Sequence, residues 1–250
     1  MNKFLLLQFF IPLLMAHLLA DFAFQPDSLV KAKTKWYWRA THSFIHATLT
    51  YVLLAQWTLW YAALLIGVLH FFIDWGKQAF TLKKSKNTIM GYREFYGFIW
   101  DQVAHILILI GAAFWLYSIL PTPPMWEAWL SPTIWNFAVI FCAFILLIPC
   151  GGKLIELFMQ PFQDQLGNGK QGLKDGGKWI GYFERLLIFL FVILNQYTGI
   201  GFLVAAKSIL RFSEIKNDPD RKASEYIIIG SFASYLLAII IGILAAVALV

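Results

Sequence analysis

The sequence predicts an all-α, polytopic transmembrane helix bundle of about eight spans, and three observations predict it. The chain of 250 residues is 60% hydrophobic and 14% charged, with a mean hydropathy of +0.66, whereas a soluble domain of that length needs more charge to cover its surface. Its Lys and Arg residues fall between long apolar runs instead of within them, as in proteins whose loops, not spans, carry the charge. No polar block is long enough to fold as a separate soluble domain.

A crossing needs about 20 apolar residues, with roughly 17 to 25 tolerated. Span one runs from about Phe4 to Phe22. Its start resembles a signal peptide, but no small-x-small cleavage site follows and His17 and Asp21 interrupt its end, so an uncleaved first span is expected. Between Arg39 and Asp74 there is no formal charge, too long a stretch for one crossing. A turn near Gln56 and Trp57 therefore divides span two (His42 to Ala55, or from near Trp38) from span three (Leu59 to Trp75). Span four covers Gly97 to Leu120 and stops at the Pro121 to Pro124 turn, and span five covers Thr133 to Leu157 with a kink around Pro149, Gly151 and Gly152.

After Arg185, one crossing would place the run from Asn195 to Gly201 in mid-bilayer, with polar groups and helix breakers facing hydrocarbon. A hairpin of two short spans, Trp179 to Gln196 and Gly199 to Phe212, avoids that and brings Glu184, Arg185, Lys207 and Arg211 near one interface. The last span starts at Tyr226. Seven spans is the alternative to eight.

Loop charge orients the bundle. The first loop carries Lys31, Lys33, Lys35 and Arg39, and the third carries Lys77, Lys83, Lys84, Lys86 and Arg93. The fifth and seventh also carry Lys or Arg, while loops two and six carry no charge and loop four only Glu127. The positive-inside rule makes the odd loops cytoplasmic and puts both termini outside. The net charge of +6 thus reflects cytoplasmic loops and membrane lipids as neighbours, not nucleic-acid binding. Trp57, Trp60, Trp100, Trp126, Trp129 and Trp135 lie near span ends and suit interfacial belts. Cys142 and Cys150 share one apolar segment and do not suggest a disulfide framework.

The chemistry lies in the histidines. All five have a His or Asp four residues away, as His17/Asp21, His42/His46, His70/Asp74 and Asp101/His105. Residues four apart share a helix face, and ionisable side chains inside spans are costly and mark function by default. In the expected topology all four pairs lie at the cytoplasmic side. His17, His46, His70 and His105 form a deeper layer; Asp21, His42, Asp74 and Asp101 form a shallower one, about 6 Å away. A lone intramembrane histidine is usually a packing residue, but four pairs on one side point to a site for one or two divalent ions. Imidazole and carboxylate without thiolate suit Zn first, with Mn or Fe as alternatives. Such an ion acidifies water toward neutrality, so hydrolysis is the simplest chemistry, with Asp21, Asp74 or Asp101 as ligand, bridge or general base. Gln25, Lys77 and Gln102 are candidate substrate-binding neighbours, and the basic first loop could attract an anionic head group.

The run Gly172 to Trp179 nearly spells a phosphate-binding loop, but Trp179 replaces the needed Ser or Thr and no strand precedes it. It reads instead as part of a linker. The expected organisation is a histidine-bearing half (1–160, spans one to five), a cytoplasmic linker (161–178) and a C-terminal half (179–250, spans six to eight). In the second half, Glu184, Arg185, Lys207 and Arg211 read as interhelical ion pairs or, as a functional reading, as an anion-binding face for substrate.

At these residues the chain resembles a family of bacterial multi-pass membrane proteins that carries a domain-of-unknown-function label. The matching motifs are His17-Leu-Leu-Ala-Asp21-Phe-Ala-Phe-Gln25, His42-Ser-Phe-Ile-His46, His70-Phe-Phe-Ile-Asp74-Trp-Gly-Lys77 and Asp101-Gln102-Val-Ala-His105. Gly181-Tyr-Phe-Glu184-Arg185, Ala206-Lys207-Ser208-Ile-Leu-Arg211-Phe212 and Glu225-Tyr226-Ile-Ile-Ile-Gly230 match in the second half, so the resemblance covers nearly the whole chain. It implies a bacterial inner-membrane protein and brings no established activity. More loosely, the His/Asp arrangement is similar to that of membrane-bound metal-dependent hydrolases. The expected function is an intramembrane metal-dependent hydrolase acting at the cytoplasmic leaflet on a lipid-like substrate. The alternatives are a divalent-cation or proton transporter using the same cluster, or a metal-stabilised scaffold. Oligomeric state does not follow from the sequence.

Overall fold

A computed structural model describes residues 3–24, 35–82, 92–120, 132–166, 173, 175–217 and 221–249, with the side chains of 3–5, 79–82 and 210–217 excepted. Gln25, Lys31, Lys33, Lys83, Lys84, Lys86, the Pro121 to Pro124 turn and most of the Gly-rich linker lie outside the described residues. Among the described residues there are nine α-helices and no strands: α1 (Lys3–Leu18), α2 (Trp36–Leu54), α3 (Trp60–Leu82), α4 (Arg93–Ile119), α5 (Pro132–Ile145), α6 (Gly151–Gln163), α7 (Gly176–Ile193), α8 (Tyr197–Asn217) and α9 (Arg221–Ala248). A π turn (Leu146–Cys150) joins α5 to α6, so the nine form eight helical runs.

Among the described residues, five runs are long and apolar enough to cross a bilayer: Leu6–Ala23, Trp57–Gln78, Arg93–Ile119, Pro132–Gln163 and Arg221–Ala248. The α2 helix misses that measure for a reason that bears on function: its inward stripe is Arg39, His42, Ser43, His46 and Thr50. Outward-facing positions show the reverse pattern, with Phe44, Phe72, Trp100, Leu107 and Phe137 exposed while the histidines are buried. Large contiguous apolar surface around a polar interior is the mark of a protein whose solvent is lipid. The chain is a membrane protein.

The helix limits differ from the hydropathy reading where helix continues past the apolar run. α3 extends to Leu82, two turns beyond Trp75, and α4 begins at Arg93, one turn before Gly97. The run Pro132–Gln163 passes through Pro149 as expected, with a π turn at that position, and ends beyond Leu157 because helix continues past the apolar stretch. Trp135 is corrected as well: it is 3% exposed and packs inside the protein, not in an interfacial belt. Trp57, Trp60 and Trp100 are exposed.

Two tight connections follow from residues in the left-handed region. Ala55 (φ 49°) ends α2, and Tyr51 Oη donates to the Trp57 carbonyl at 3.2 Å across the turn. Asn195 (φ 55°) reverses the chain between α7 and α8, where Gln196 N–H donates to Phe191 O at 2.7 Å. Asn tolerates that conformation better than most residues. Gly199 completes the hairpin, since a Cβ there would meet the Phe191 ring at 3.0 Å.

The described helices fall into two compact units, one ending at Ile145 and one running from Leu146 to Leu249. In the first, α2 packs along α3, α1 packs against α2 and α4, and α3 packs against α4. In the second, α9 packs along α7 and α6, and α8 folds back beside α7. Cys142 and Cys150 form no disulfide among the described residues.

Candidate metal centre

Four helices of the first unit each carry one imidazole to a common point. His17 (α1), His46 (α2), His70 (α3) and His105 (α4) form a closed ring, with centroid separations of 5.4 Å for His17–His46, 3.5 Å for His46–His70, 4.2 Å for His70–His105 and 4.9 Å for His105–His17. The local cause on α2 and α3 is a close approach at Gly67, where a Cβ would stand 2.8 Å from Ala47 Cβ and 3.0 Å from the Ser43 carbonyl. Only a residue without a side chain lets the two backbones come near enough to stack His46 on His70.

Asp21 reaches the cluster by a different device. α1 ends in a π turn (Leu19–Ala23), closed by the bond from Phe24 N–H to Leu19 O at 2.8 Å. A π turn is wider than an α turn. His17 Nε2 and Asp21 Oδ2 are 3.7 Å apart, while Asp21 Oδ1 lies 3.0 Å from His42 Nε2 and 2.9 Å from His46 Nε2. His42 Nε2 and His46 Nε2 are themselves 3.2 Å apart. His70 Nε2 stands 3.8 Å from both Asp21 Oδ1 and Asp74 Oδ2, and His42 Nε2 stands 4.0 Å from Asp74 Oδ2.

Hydrogen bonding does not account for this triangle. A carboxylate oxygen only accepts, so each histidine must place its Nε2 proton toward Asp21, leaving two N–H groups facing each other at 3.2 Å. Ligands about 2.1 Å from one ion, by contrast, stand roughly 3.0 Å apart at right angles and roughly 3.4 Å apart in a tetrahedron. The triangle's edges of 2.9 to 3.2 Å lie near the right-angle spacing. Buried polar atoms point the same way: His17 Nε2, His42 Nδ1, His70 Nε2, Asp101 Oδ1 and both ring nitrogens of His105 have no hydrogen-bond partner among the described residues. Buried polar groups are otherwise nearly always paired, and a cation is the partner this donor set suits.

Among the described residues, three overlapping groups could hold a metal ion: His17, Asp21, His46 and His70; His42, His70 and Asp74; and Asp74, Asp101 and His105. In each, the donor atoms lie within 4.8 Å of one another. All eight His and Asp residues of the four sequence pairs thus belong to one connected cluster. Asp101 and His105 sit at its edge, with Asp101 Oδ1 3.7 Å from His105 Nδ1. Asp101 Oδ2 accepts hydrogen bonds from Lys77 Nζ at 2.7 Å and Gln102 Nε2 at 3.2 Å. Gln102 also donates to Asp21 Oδ2 at 3.4 Å, tying the α1 and α4 carboxylates together.

Of the other residues singled out in the sequence, Gln25 and the side chain of Arg211 lie outside the described residues. Glu184, Arg185 and Lys207 make a separate network in the second unit. Lys207 Nζ is 2.7 Å from Glu184 Oε1, which also accepts from Tyr235 Oη at 3.1 Å. Arg185 Nε donates to the Leu147 carbonyl at 2.7 Å, its Nη1 donates to Ser234 Oγ at 2.9 Å, and its guanidinium lies over the Tyr182 ring. One residue that the spacing argument did not single out is Arg39, buried on the His42/His46 face of α2. Its position three residues before His42 was the available signal.

Beyond the histidine ring, a small cavity is lined by the four imidazoles together with Thr50, Ile66, Ile108 and Leu109. Thr50, Ile66 and Leu109 each lie four residues from a ring histidine on the same helix, on the side away from the carboxylates. The cluster is therefore closed by largely apolar side chains on that side.

No curated protein and no solved structure matches the chain. A family match covers the first unit and stops before the motifs around Glu184, Lys207 and Glu225, which narrows the nearly full-length resemblance expected from the sequence. The matching model is described as Protein of unknown function (DUF3307) and spans residues 9–136, which is 128 of the 250 residues and includes the whole His/Asp cluster, and the chain belongs to that family.

Proposed function

We propose that the protein is an intramembrane metal-dependent hydrolase of a bacterial inner membrane, acting at the cytoplasmic leaflet on an amphiphilic substrate. The observation that carries this reading is the triangle of Asp21 Oδ1, His42 Nε2 and His46 Nε2, with edges of 2.9 to 3.2 Å. These three residues would hold the ion, and His17 and His70 complete the donor set. Zn suits the ligands best, with Mn or Fe next, since the set has no thiolate. When bound, such an ion supplies Lewis acidity that polarises a scissile ester or phosphoryl group and acidifies water.

The remaining roles belong to the chain. Gln102 holds Asp21 and Asp101 in fixed relation through its amide. Asp74 and Asp101 are the carboxylates that would take a proton during hydrolysis, or bridge to a second ion with His105. Burial of the cluster limits access of bulk water, which strengthens every charge interaction inside it. Transit of a cation or proton is the second reading, because the same residue types serve as relays. The cavity wall of Ile66, Ile108 and Leu109 disfavours it, since a transported ion needs polar partners past the histidines.

Elemental analysis of the detergent-purified full chain tests the reading. Wild type is expected to carry a stoichiometric transition metal that His46→Ala and Asp21→Ala lack. Metal-free wild-type protein, or unchanged metal in both variants, would remove the basis for the hydrolase. A panel of lipid esters and lipid phosphates incubated with the metal-loaded protein then separates enzyme from transporter.

A further inference from the structure

We propose that Arg39 is the recognition residue for a phosphate group on the substrate, held one helical turn from the metal centre on its carboxylate side. This rests on the hydrolase reading above and names the chemistry of its head group. Arg39 is 8% exposed, and its Nε and Nη1 are buried without a hydrogen-bond partner among the described residues. It makes no ion pair there either. Its guanidinium carbon lies 5.7 Å from the centroid of the Phe71 ring, next to His70 on α3. A guanidinium stays charged at any accessible pH, so burying one without an anion is among the costliest arrangements a fold can hold. Lipid-facing arginines escape the cost by reaching the interface; this one is turned inward.

Its placement gives the burial a purpose. Arg39, His42, Ser43, His46 and Thr50 are the inward stripe of α2, so Arg39 precedes His42 by about 4.5 Å along the helix axis. The order along the stripe is cation, then the Asp21/His42/His46 triangle, then the histidine ring, then the apolar cavity wall. A group entering from the carboxylate side meets the guanidinium before the ion site. Phosphate fits better than carboxylate because it has enough non-bridging oxygens to engage a guanidinium in two parallel N–H···O bonds and still leave one for the ion. The cation–π contact with Phe71 holds the guanidinium in place, which limits the side-chain entropy lost on binding.

The test measures equilibrium binding of radiolabelled hexadecyl phosphate, hexadecanoate and inorganic phosphate to the full chain in phosphatidylcholine nanodiscs. Metal content is determined on the same samples. Wild type is expected to bind hexadecyl phosphate more tightly than hexadecanoate. Arg39→Gln is expected to weaken hexadecyl phosphate binding by about tenfold to a hundredfold, the range for losing charge-assisted hydrogen bonds, with metal content unchanged. Arg39→Lys keeps the charge but not the fork and should recover part of the affinity; it also serves if the glutamine variant fails to fold. Preference for hexadecyl phosphate over inorganic phosphate identifies a lipid-borne group, and equal affinity identifies a free one. Equal binding in wild type, Arg39→Gln and Arg39→Lys, or hexadecanoate bound as tightly as hexadecyl phosphate, overturns the assignment. Wild type that binds phosphate through Arg39 yet holds no metal would sink the hydrolase and leave the phosphate site standing.

Discussion

Lys77 on α3 and Asp101 on α4 form a close ion pair at the edge of the cluster, with Nζ 2.7 Å from Oδ2, the carboxylate side chain 2% exposed and the lysine 34% exposed. Removing the lysine leaves a buried carboxylate without its cation, a loss of about 3–5 kcal/mol for a fully buried pair. Partial exposure of Lys77 reduces this to roughly 1–3 kcal/mol, since water screens its end of the pair. Lys77→Met should therefore lower the unfolding midpoint in detergent, and Lys77→Met with Asp101→Asn should regain much of the loss. A double variant no more stable than the single one would show that the lysine acts elsewhere.

Metal stoichiometry should separate the two ends of the cluster. His42 and His46 belong to the Asp21 triangle, whereas His105 shares a group with Asp74 and Asp101 at the other edge. If two ions bind, His105→Ala lowers the content from about two to about one, while His46→Ala removes the ion of the triangle, on the ordinary loss of affinity when one ligand is deleted. If one ion binds, His105→Ala leaves the content unchanged. Elemental analysis per mole of folded protein reads the difference directly.

The i, i+4 spacing was enough to nominate all eight cluster residues, because helical geometry alone puts such pairs on one face. Hydropathy likewise marked the break after Ala55 and the reversal at Asn195, where polar or breaker residues interrupt apolar runs. What stayed hidden depends on contacts between helices. The π turn that swings Asp21 toward His42 and His46 has no breaker residue to announce it. Lys77 reads in the sequence both as a neighbour of the site and as a loop charge, because α3 runs two turns past its apolar stretch, so its ion pair with Asp101 stayed hidden. Arg39 reads as a charge of the first loop, and its burial beside Phe71 is what sets it apart.

Gly67 should be the most sensitive small residue of the first unit. A Cβ there would meet Ala47 Cβ at 2.8 Å and the Ser43 carbonyl at 3.0 Å, neither of which can swing away. Gly67→Ala should cost about 1–3 kcal/mol as overpacking, and Gly67→Val more. Because the same contact sets the 3.5 Å stack of His46 on His70, metal content should fall along with stability. Gly76→Ala and Gly111→Ala are the controls: nothing lies within 4 Å of either added methyl, and both should be neutral or slightly stabilising. Matching losses at all three glycines would trace the effect to lipid contact instead of helix spacing, since alanine only raises helix propensity.

The second unit makes a prediction of its own at the π turn Leu146–Cys150. Pro149 removes one backbone donor there. Arg185 supplies donors from α7, taking the Leu147 carbonyl at 2.7 Å and Ser234 Oγ of α9 at 2.9 Å. Gly151 keeps the turn close to α9, since a Cβ would stand 2.9 Å from both the Leu146 carbonyl and Leu237 Cδ2. Arg185→Met should strip both bonds and destabilise the unit by about 3–6 kcal/mol, two hydrogen bonds from a charged donor at roughly 1.5–3 kcal/mol each. Arg185→Lys cannot span both acceptors with a planar fork and should recover less than half. Hydrogen exchange at the amides of residues 150–153 reads the loss locally. Faster exchange there, with the metal content of the first unit unchanged, is the expected result; a drop in metal content without faster exchange would mean that Arg185 serves the metal centre instead of the turn.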